Sequence, residues 1–272
     1  MISFITVGRD DDYGNRFLDR LHLSISKNIE TIERLNVSYE YLVVEWSPVR
    51  DYLINNENFV DIFQKKNVIN VIIKPEVGIK ENLKPTIFYE YFAKNVGIRV
   101  SRYDTLVILN SDIIIPDDTM KAFIDLKIDE SNDKKFYRPS IRVDVDYNLN
   151  KISTFYLTKN YDEINIKYGG GFGGDMLVIN KDILIKYGEG YDETNPRHRT
   201  ISQTNMDGEI LQNLLLNGVA LHQINNNYLH IHHNHPNGRD GECNLNGYTN
   251  KPNWGFIDYP KKNVSENLIE IG

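Results

Sequence analysis

The chain has 272 residues, enough for one large domain or two small ones. Hydrophobic residues make up 40% and charged residues 25%, ordinary for a globular protein, and a net charge of −7 with no basic stripe argues against a nucleic-acid partner. No apolar run approaches the roughly 18 residues a membrane-spanning helix needs, the start MISFITVGRDDDYG does not read as a signal peptide, and a single cysteine, Cys243, fits a reducing, cytoplasmic compartment.

The first half alternates strand and helix patterns. Ile2 to Val7 is a short β-rich run. Phe17, Leu21, Ile25, Ile29 and Ile32 then recur at helical spacing and share one face. Tyr39 to Trp46 is a second strand, followed by a polar stretch with helical potential and a third strand, Val68 to Lys74. A helix is expected from Thr86 to about Ser101. Thr105 to Asn110 is an almost continuous apolar strand, as suits a parallel sheet covered on both faces. The pattern predicts a single α/β domain of Rossmann-like type, with a mixed, mostly parallel central sheet flanked by helices.

The second half is less regular. KFYRPSIRVDVDY and KISTFYLT read as antiparallel strands, YGGGFGGDMLVIN as a glycine-rich loop entering an apolar run, and MDGEILQNLLLNG as a short helix stopped at Gly218. LHIHHNHP places four of the seven histidines, His230, His232, His233 and His235, within six residues.

In open sheets of this kind ligands bind at the carboxyl ends of the strands. That rule singles out Arg9 and Asp10, Glu45 with Trp46, and the tip Asn110–Ser111–Asp112. A bare Asn-Ser-Asp is more often a turn or cap, but Asp112 stands between apolar runs at the tip of a central strand, where a carboxylate is paired, capping or on a metal. The loop GGGFGGD matches neither the Walker pattern nor the dinucleotide fingerprint. It reads either as a plain loop or as one that lets a bulky substrate approach the backbone. Asp207 and Glu209 open a helix, where the dipole favours acids in any case and where a general base can also stand. In a regular strand His230 and His232 would face one side, and His233 and His235 the other. With Asp112, a His-plus-carboxylate site for Mn²⁺ or Mg²⁺ is chemically reasonable. Among the 17 tyrosines and two tryptophans, Trp46 and Trp254 are the candidate aromatic platforms for a ligand.

Four stretches carry a resemblance to the metal-dependent GT-A glycosyltransferases, near family 2 and the polypeptide N-acetylgalactosaminyltransferase-like branch. AKNVGIRVSRYDTLVILNSDIIIPDD resembles the segment ending in the DxD motif. GGGFGGDMLVINKDILIKYGEGYDE is similar to a glycine-rich acceptor loop with the strand and helix after it, MDGEI to the EDxEL motif, and YLHIHHNHP to a late H..H segment. Together they cover about residues 90 to 236.

The resemblance implies roles. Asp112 matches the last Asp of DxD, which holds a divalent ion on the donor diphosphate, while Asn110 replaces the first. Glu45, Arg9, Asp10, Asn95, Arg99 and Ser111 fall at donor-binding positions. Asp207 matches the catalytic acid, with Met206 in place of the preceding Glu. Gly173, Gly174, Asp175 and Glu209 fall on the acceptor side. His230 and His233 fit the metal-ligand spacing best. The implied division is a nucleotide-sugar half over residues 1–112, an acceptor half over 113–240 and a C-terminal loop or tail over 241–272.

The implied function is transfer of a sugar from a nucleotide-diphosphate donor, a UDP-sugar first, to a glycan or protein hydroxyl. Mn²⁺ or Mg²⁺ would assist, and Asp207 would be the base of an inverting displacement. A neutral histidine ligand implies metal binding that weakens below about pH 6.5. A binding protein of the same fold that has lost catalysis, and a nucleotidyltransferase, are the alternatives.

Overall fold

Ile2–Gly8 forms β1, and its side chains divide by parity between two cores. Ile2 and Phe4 enter one, Ile5 and Val7 the other. Alternate residues of a strand point to opposite faces, so a strand buried at every position, as β1 is, needs a layer on each side. The computed structural model describes residues 1–9, 15–48, 51–84, 88–128, 134–156, 175–194, 206–233, 249–252 and 254–272, without the side chains of Met206 and Asp207.

In chain order, β1 leads to α1 (Phe17–Arg34), β2 (Tyr39–Trp46), two 3₁₀ turns (Leu53–Asn55, Glu57–Phe59), α2 (Val60–Phe63) and β3 (Val68–Ile73). Then come α3 (Pro75–Lys80), α4 (Glu90–Val100), β4 (Thr105–Leu109), the two-residue β5 (Ile113–Ile114) and α5 (Asp117–Asp125). The second half adds β6 (Lys135–Val145), β7 (Lys151–Tyr156), β8 (Met176–Asn180), α6 (Lys181–Ile183) with a wider π-type turn (Leu184–Gly188), and α7 (Met206–Leu216). It ends with β9 (Ala220–Ile231), the turn Trp254–Phe256, β10 (Lys261–Ser265) and β11 (Leu268–Ile271).

One sheet runs β10-β11-β3-β2-β1-β4-β8-β6-β9-β5, with β7 paired to the C-terminal part of β6 on the same edge that β8 pairs at its start. The block β11-β3-β2-β1-β4 is parallel throughout. The fold is thus α/β, a mixed sheet on a parallel core with helices on both faces. The five apolar positions of α1 bury against Phe4, Tyr41 and Val43, joined by Met120 and Phe123 of α5. On the opposite face α4 and α7 bury Phe92, Val96, Ile210, Leu211 and Leu214. Each such side chain contributes about 1.5–3 kcal/mol on burial. Gly97 lets α4 lie close to the sheet: a Cβ there would stand 2.4 Å from Ile5 Cγ2. Gly218 adopts φ +75° just past α7, as its place in the sequence predicted.

Several expectations change. The helix expected from Thr86 begins at Glu90, because Tyr89 is non-helical and its hydroxyl accepts the Lys84 amide at 3.0 Å. The helix α3 was not anticipated, although Pro75 at its first turn is a start signal. β6, expected to be antiparallel, is so only to β7 and β8; along its other edge it runs parallel to β9. The stretch taken as a C-terminal tail contains the hairpin β10–β11, and β11 extends the parallel block beside β3. Its alternating Leu-Ile-Glu-Ile is a strand pattern.

Candidate metal centre and donor site

The centre forms where β4 ends. Asn110 leaves the strand with its amide donated to the Asp175 carbonyl at 3.0 Å. The chain turns, and β5 pairs with β9 so that Ile113 lies opposite His230. The Ile231 amide donates to the Asp112 carbonyl at 2.9 Å, which pins the backbone of Asp112 to the end of β9. On the other edge of β9, Asp144 of β6 lies opposite His230 and Arg142 opposite Tyr228. Positions two apart on a strand share a face. Arg142, Asp144, Tyr228 and His230 therefore form one polar face, while Val143, Val145 and Ile231 form a small apolar cluster with Ile114.

Asp112 Oδ2 lies 2.9 Å from His233 Nε2 and 3.5 Å from His230 Nε2. All three residues are buried. Asp112 Oδ1 is also buried and, among the described residues, has no hydrogen-bond partner. A regular strand would turn His230 and His233 to opposite faces. They meet instead because β9 ends at Ile231 and the His232 amide bonds the Val145 carbonyl at 2.8 Å, carrying His233 back over Asp112. His232 is half exposed, with Nδ1 3.5 Å from Asp144 Oδ2. His235 lies outside the described residues.

Charge is arranged densely around this point. Arg142 donates through Nε to Asp144 Oδ1 at 2.7 Å and through one terminal nitrogen to Asp175 Oδ2 at 2.9 Å. The Tyr228 hydroxyl donates to the same Asp175 oxygen at 2.7 Å, and burial together with that carboxylate holds the phenol well above its ordinary value. Burial opposes the charge of Asp112, yet His230 and His233 hold its carboxyl well below the usual range. Asp144 is lowered in the same way, by His230 and Arg142 against its own burial. Burial would lower the His230 imidazole, but Asp112 and Asp144 push it up to about 9.

The donor set fits a divalent cation. Among the described residues two triplets bring ligand-type atoms within 4.8 Å of one another: Asp112, His230 and His233, and Asp144, His230 and His232. The orphaned Oδ1 of Asp112 marks the first as the one with an unused buried acceptor, a costly state unless something binds it. A carboxylate with two imidazoles suits Mn²⁺ or a similar ion.

The other expected residues divide. Asn110 Oδ1 accepts from Lys94 Nζ at 2.7 Å, and Lys94, buried in α4, also pairs with Glu90 at 2.8 Å. Lys94 was not singled out in the sequence, although it immediately precedes Asn95 in AKNVG. The Ser111 carbonyl accepts from the Ser24 hydroxyl at 2.6 Å. Arg9 is buried at the end of β1. Glu45, at the end of β2, accepts from the Leu53 amide at 3.0 Å and Asn70 at 3.2 Å through Oε2. Asn95 is not brought to the cluster: it bonds both backbone groups of Tyr191 and Oε1 of Glu193. Arg99 donates to the Trp254 carbonyl at 3.2 Å and stacks 3.5 Å over its ring. Trp254 and Trp46 are buried in the core, so neither is an exposed platform for a sugar. Asp175 joins the Arg142 network, and Glu209 is buried in α7. Asp10, Gly173, Gly174 and the side chain of Asp207 lie outside the described residues.

Arg142 and Asp144 were missed, and the signal for them was present. RVDV in β6 and YLHI in β9 both alternate polar and apolar residues, so two adjacent strands each offer a polar pair to one face.

No protein-family model matches the chain, and no characterised protein matches it in sequence. Solved structures do match in shape. A mutant of the Drosophila beta1,4-galactosyltransferase 7, complexed with manganese, UDP-Gal and xylobiose, superposes with a TM-score of 0.53 at 11% identity. That match covers 100% of this chain and 92% of the other. Staphylococcus aureus TarS superposes at 0.52 with 13% identity, over 85% of this chain and 36% of TarS. The fold is the GT-A fold. At these identities the likeness establishes architecture alone. Among the described residues no helix is long and apolar enough to cross a membrane.

Proposed function

We propose that the protein is a divalent-metal-dependent glycosyltransferase, moving a sugar from a nucleotide-diphosphate donor, a UDP-sugar first, to a hydroxyl of a glycan or protein. One observation carries the reading. Asp112 stands buried at the tip of β4 with two imidazoles against one oxygen and the other oxygen without a partner among the described residues. This is the carboxyl end of the strands, outside which open α/β sheets receive their ligands.

Asp112, His230 and His233 would hold the ion. Bound there, a divalent cation supplies positive charge to a diphosphate leaving group as the glycosidic bond breaks. Asn110 is held by Lys94 and presents a neutral amide beside Asp112, so the tip carries one carboxylate where two are usual in the resembling family. The two imidazoles make up the ligand count without adding negative charge that would repel the diphosphate. Arg9 and Glu45, at the ends of β1 and β2, flank the same sheet edge and are assigned to the nucleoside. Asp207, second residue of α7, is assigned as the base that takes the acceptor's hydroxyl proton in a one-step, inverting displacement.

The test is a panel of nucleotide sugars with Mn²⁺ and with Mg²⁺, read as release of nucleoside diphosphate. Release from one donor, abolished by chelator and by Asp112→Ala, supports the reading. Release that survives both treatments removes the metal assignment. Donor binding by calorimetry without turnover under either metal would instead leave a sugar-nucleotide-binding protein, a role compatible with Asn110 and Met206 standing where the resembling family has acids.

A further inference from the structure

We propose that Asp144, clamped by Arg142, is the carboxylate that holds Nδ1–H of His230 and so aims its Nε2 at the ion-binding side of Asp112, supporting the site without being a ligand. The inference rests on the metal reading given above and assigns roles to two residues outside it.

The two triplets share His230, and its two nitrogens face different partners. Nε2 faces Asp112 Oδ2 at 3.5 Å, and Nδ1 faces Asp144 Oδ1 at 3.1 Å. The surroundings of the two carboxylates then separate their roles. Asp144 Oδ1 already accepts from Arg142 Nε, and the same guanidinium reaches Asp175. An ion bound beside Asp144 would lie against a buried guanidinium, a like charge in a poorly screened place. Its remaining candidate ligand, His232, is half exposed. Asp112 keeps an orphaned oxygen and faces imidazoles, which can become neutral ligands.

A terminal nitrogen of Arg142 also lies 2.8 Å from Nδ1. That contact and the one to Asp144 make opposite demands. A guanidinium only donates, so a bond from it needs Nδ1 bare; a carboxylate only accepts, so a bond to it needs Nδ1 protonated. Once Nε2 is a ligand the ring proton must sit on Nδ1, and Asp144 is then the neighbour able to take it. A carboxylate behind a ligating histidine fixes the ring's tautomer and orientation and raises its basicity. Arg142 acts one step further out, holding Asp144 of β6 and Asp175, just before β8, in place.

Mn²⁺ binding to the full chain, measured calorimetrically without donor, tests this. Asp144→Asn keeps the shape and removes the charge, and should raise Kd about 10- to 100-fold with a stoichiometry of one. His232→Ala should leave Kd unchanged. If Asp112→Ala abolishes binding while Asp144→Asn matches the unaltered protein, or if His232→Ala weakens binding as much as Asp144→Asn, the supporting role is overturned and the metal site stands. If Asp112→Ala and Asp144→Asn both leave binding intact, the metal reading falls with it. Should Asp144→Asn not fold, ¹⁵N-histidine NMR of the unaltered protein with Zn²⁺ as a diamagnetic probe decides. A protonated Nδ1 with a metal-bound Nε2 on His230 upholds the proposal, and the reverse assignment overturns it.

Discussion

Asp112 and His233 stand 121 positions apart and meet at 2.9 Å, Oδ2 to Nε2. The contact exists because two short-range events coincide. β4 ends at Leu109, so Asp112 stands just past the strand tip; β9 stops at Ile231, so His233 is released from the alternation that would have turned it away. Both belong to backbone pairing at the end of the sheet, and both put an imidazole against a carboxylate that keeps one oxygen unused.

Without metal, that arrangement makes stability depend on pH from two sides. His230 is pushed up to about 9 from 6.5, so its contribution is fully present below pH 6.5 and is lost as pH rises through 9. The shift corresponds to about 3 kcal/mol. Asp112 and Asp144 are depressed, so their contribution is present above the ordinary carboxylate value and is lost as pH falls below it. Thermal unfolding in chelator should therefore show a plateau between about pH 4 and 7 and a decline toward pH 10. His230→Gln should flatten the alkaline limb. An unchanged alkaline limb in that variant would show that His230 carries no raised value.

Metal binding should follow the opposite trend. A ligating imidazole must be neutral, so protons compete with the ion. The sequence placed that competition below about pH 6.5. With His230 raised to about 9 it extends further, and at pH 7 affinity should lie about 100-fold below its alkaline limit. Calorimetric Mn²⁺ titrations at pH 6, 7 and 8 should show tightening of about tenfold per unit. A profile that levels off above pH 6.5 would contradict the shift.

Lys94 offers a test of the tip itself. Its ammonium is fully buried, pairs with Glu90 and donates to Asn110 Oδ1. Lys94→Met leaves both partners short of a donor, and should lower stability to urea by about 2 kcal/mol. It should also weaken donor binding through the disordered tip. A variant as stable as the parent, with unchanged nucleotide affinity, would show that the contact does not organise Asn110.

How far the sequence carried the fold follows from what each element depends on. β1, β2, β3, β4 and α1 were legible because each is decided locally, by apolar runs and by a five-point helical stripe. The place of Asp112 at the tip of β4 was legible because it directly follows an almost continuous apolar strand. The pairing of β6 beside β9 was not, since it joins segments about 85 residues apart and places Asp144 next to His230 by register. The same holds for β11, whose partner β3 lies about 200 positions earlier. Asn95 and Arg99 were assigned to the donor, but packing gave their polar groups to Tyr191, Glu193 and Trp254. Residue type and helix face did not distinguish these uses.

Gly97 connects the two levels. In the sequence it is the glycine of AKNVG; in the structure it is where α4 meets β1 and β2, with a Cβ position 2.4 Å from Ile5 and 3.1 Å from Val44. Gly97→Ala gains helix propensity, worth up to about 1 kcal/mol, but forces α4 off the sheet, which costs about 1–3 kcal/mol. The clash should win because Ile5 and Val44 are held on two neighbouring strands and have little room to retreat. Urea denaturation should show a net loss, and a stabilised variant would mean that the layer can relax.

Asp207 can be separated from its structural alternative by choice of substitution. Asp207 is the second residue of α7, and at such a position in any helix an acid is favoured by the first-turn amides whether or not it does chemistry. Asparagine still offers an oxygen to those amides but cannot take a proton at neutral pH. Asp207→Asn should thus change stability by less than about 1 kcal/mol while kcat falls about 10²- to 10⁴-fold. KM for the donor should stay near the parent value, because the group acts on the acceptor's hydroxyl. If Asp207→Asn instead keeps its kcat while Asp207→Ala loses stability, the residue serves the helix end and the base must be sought elsewhere on the acceptor side.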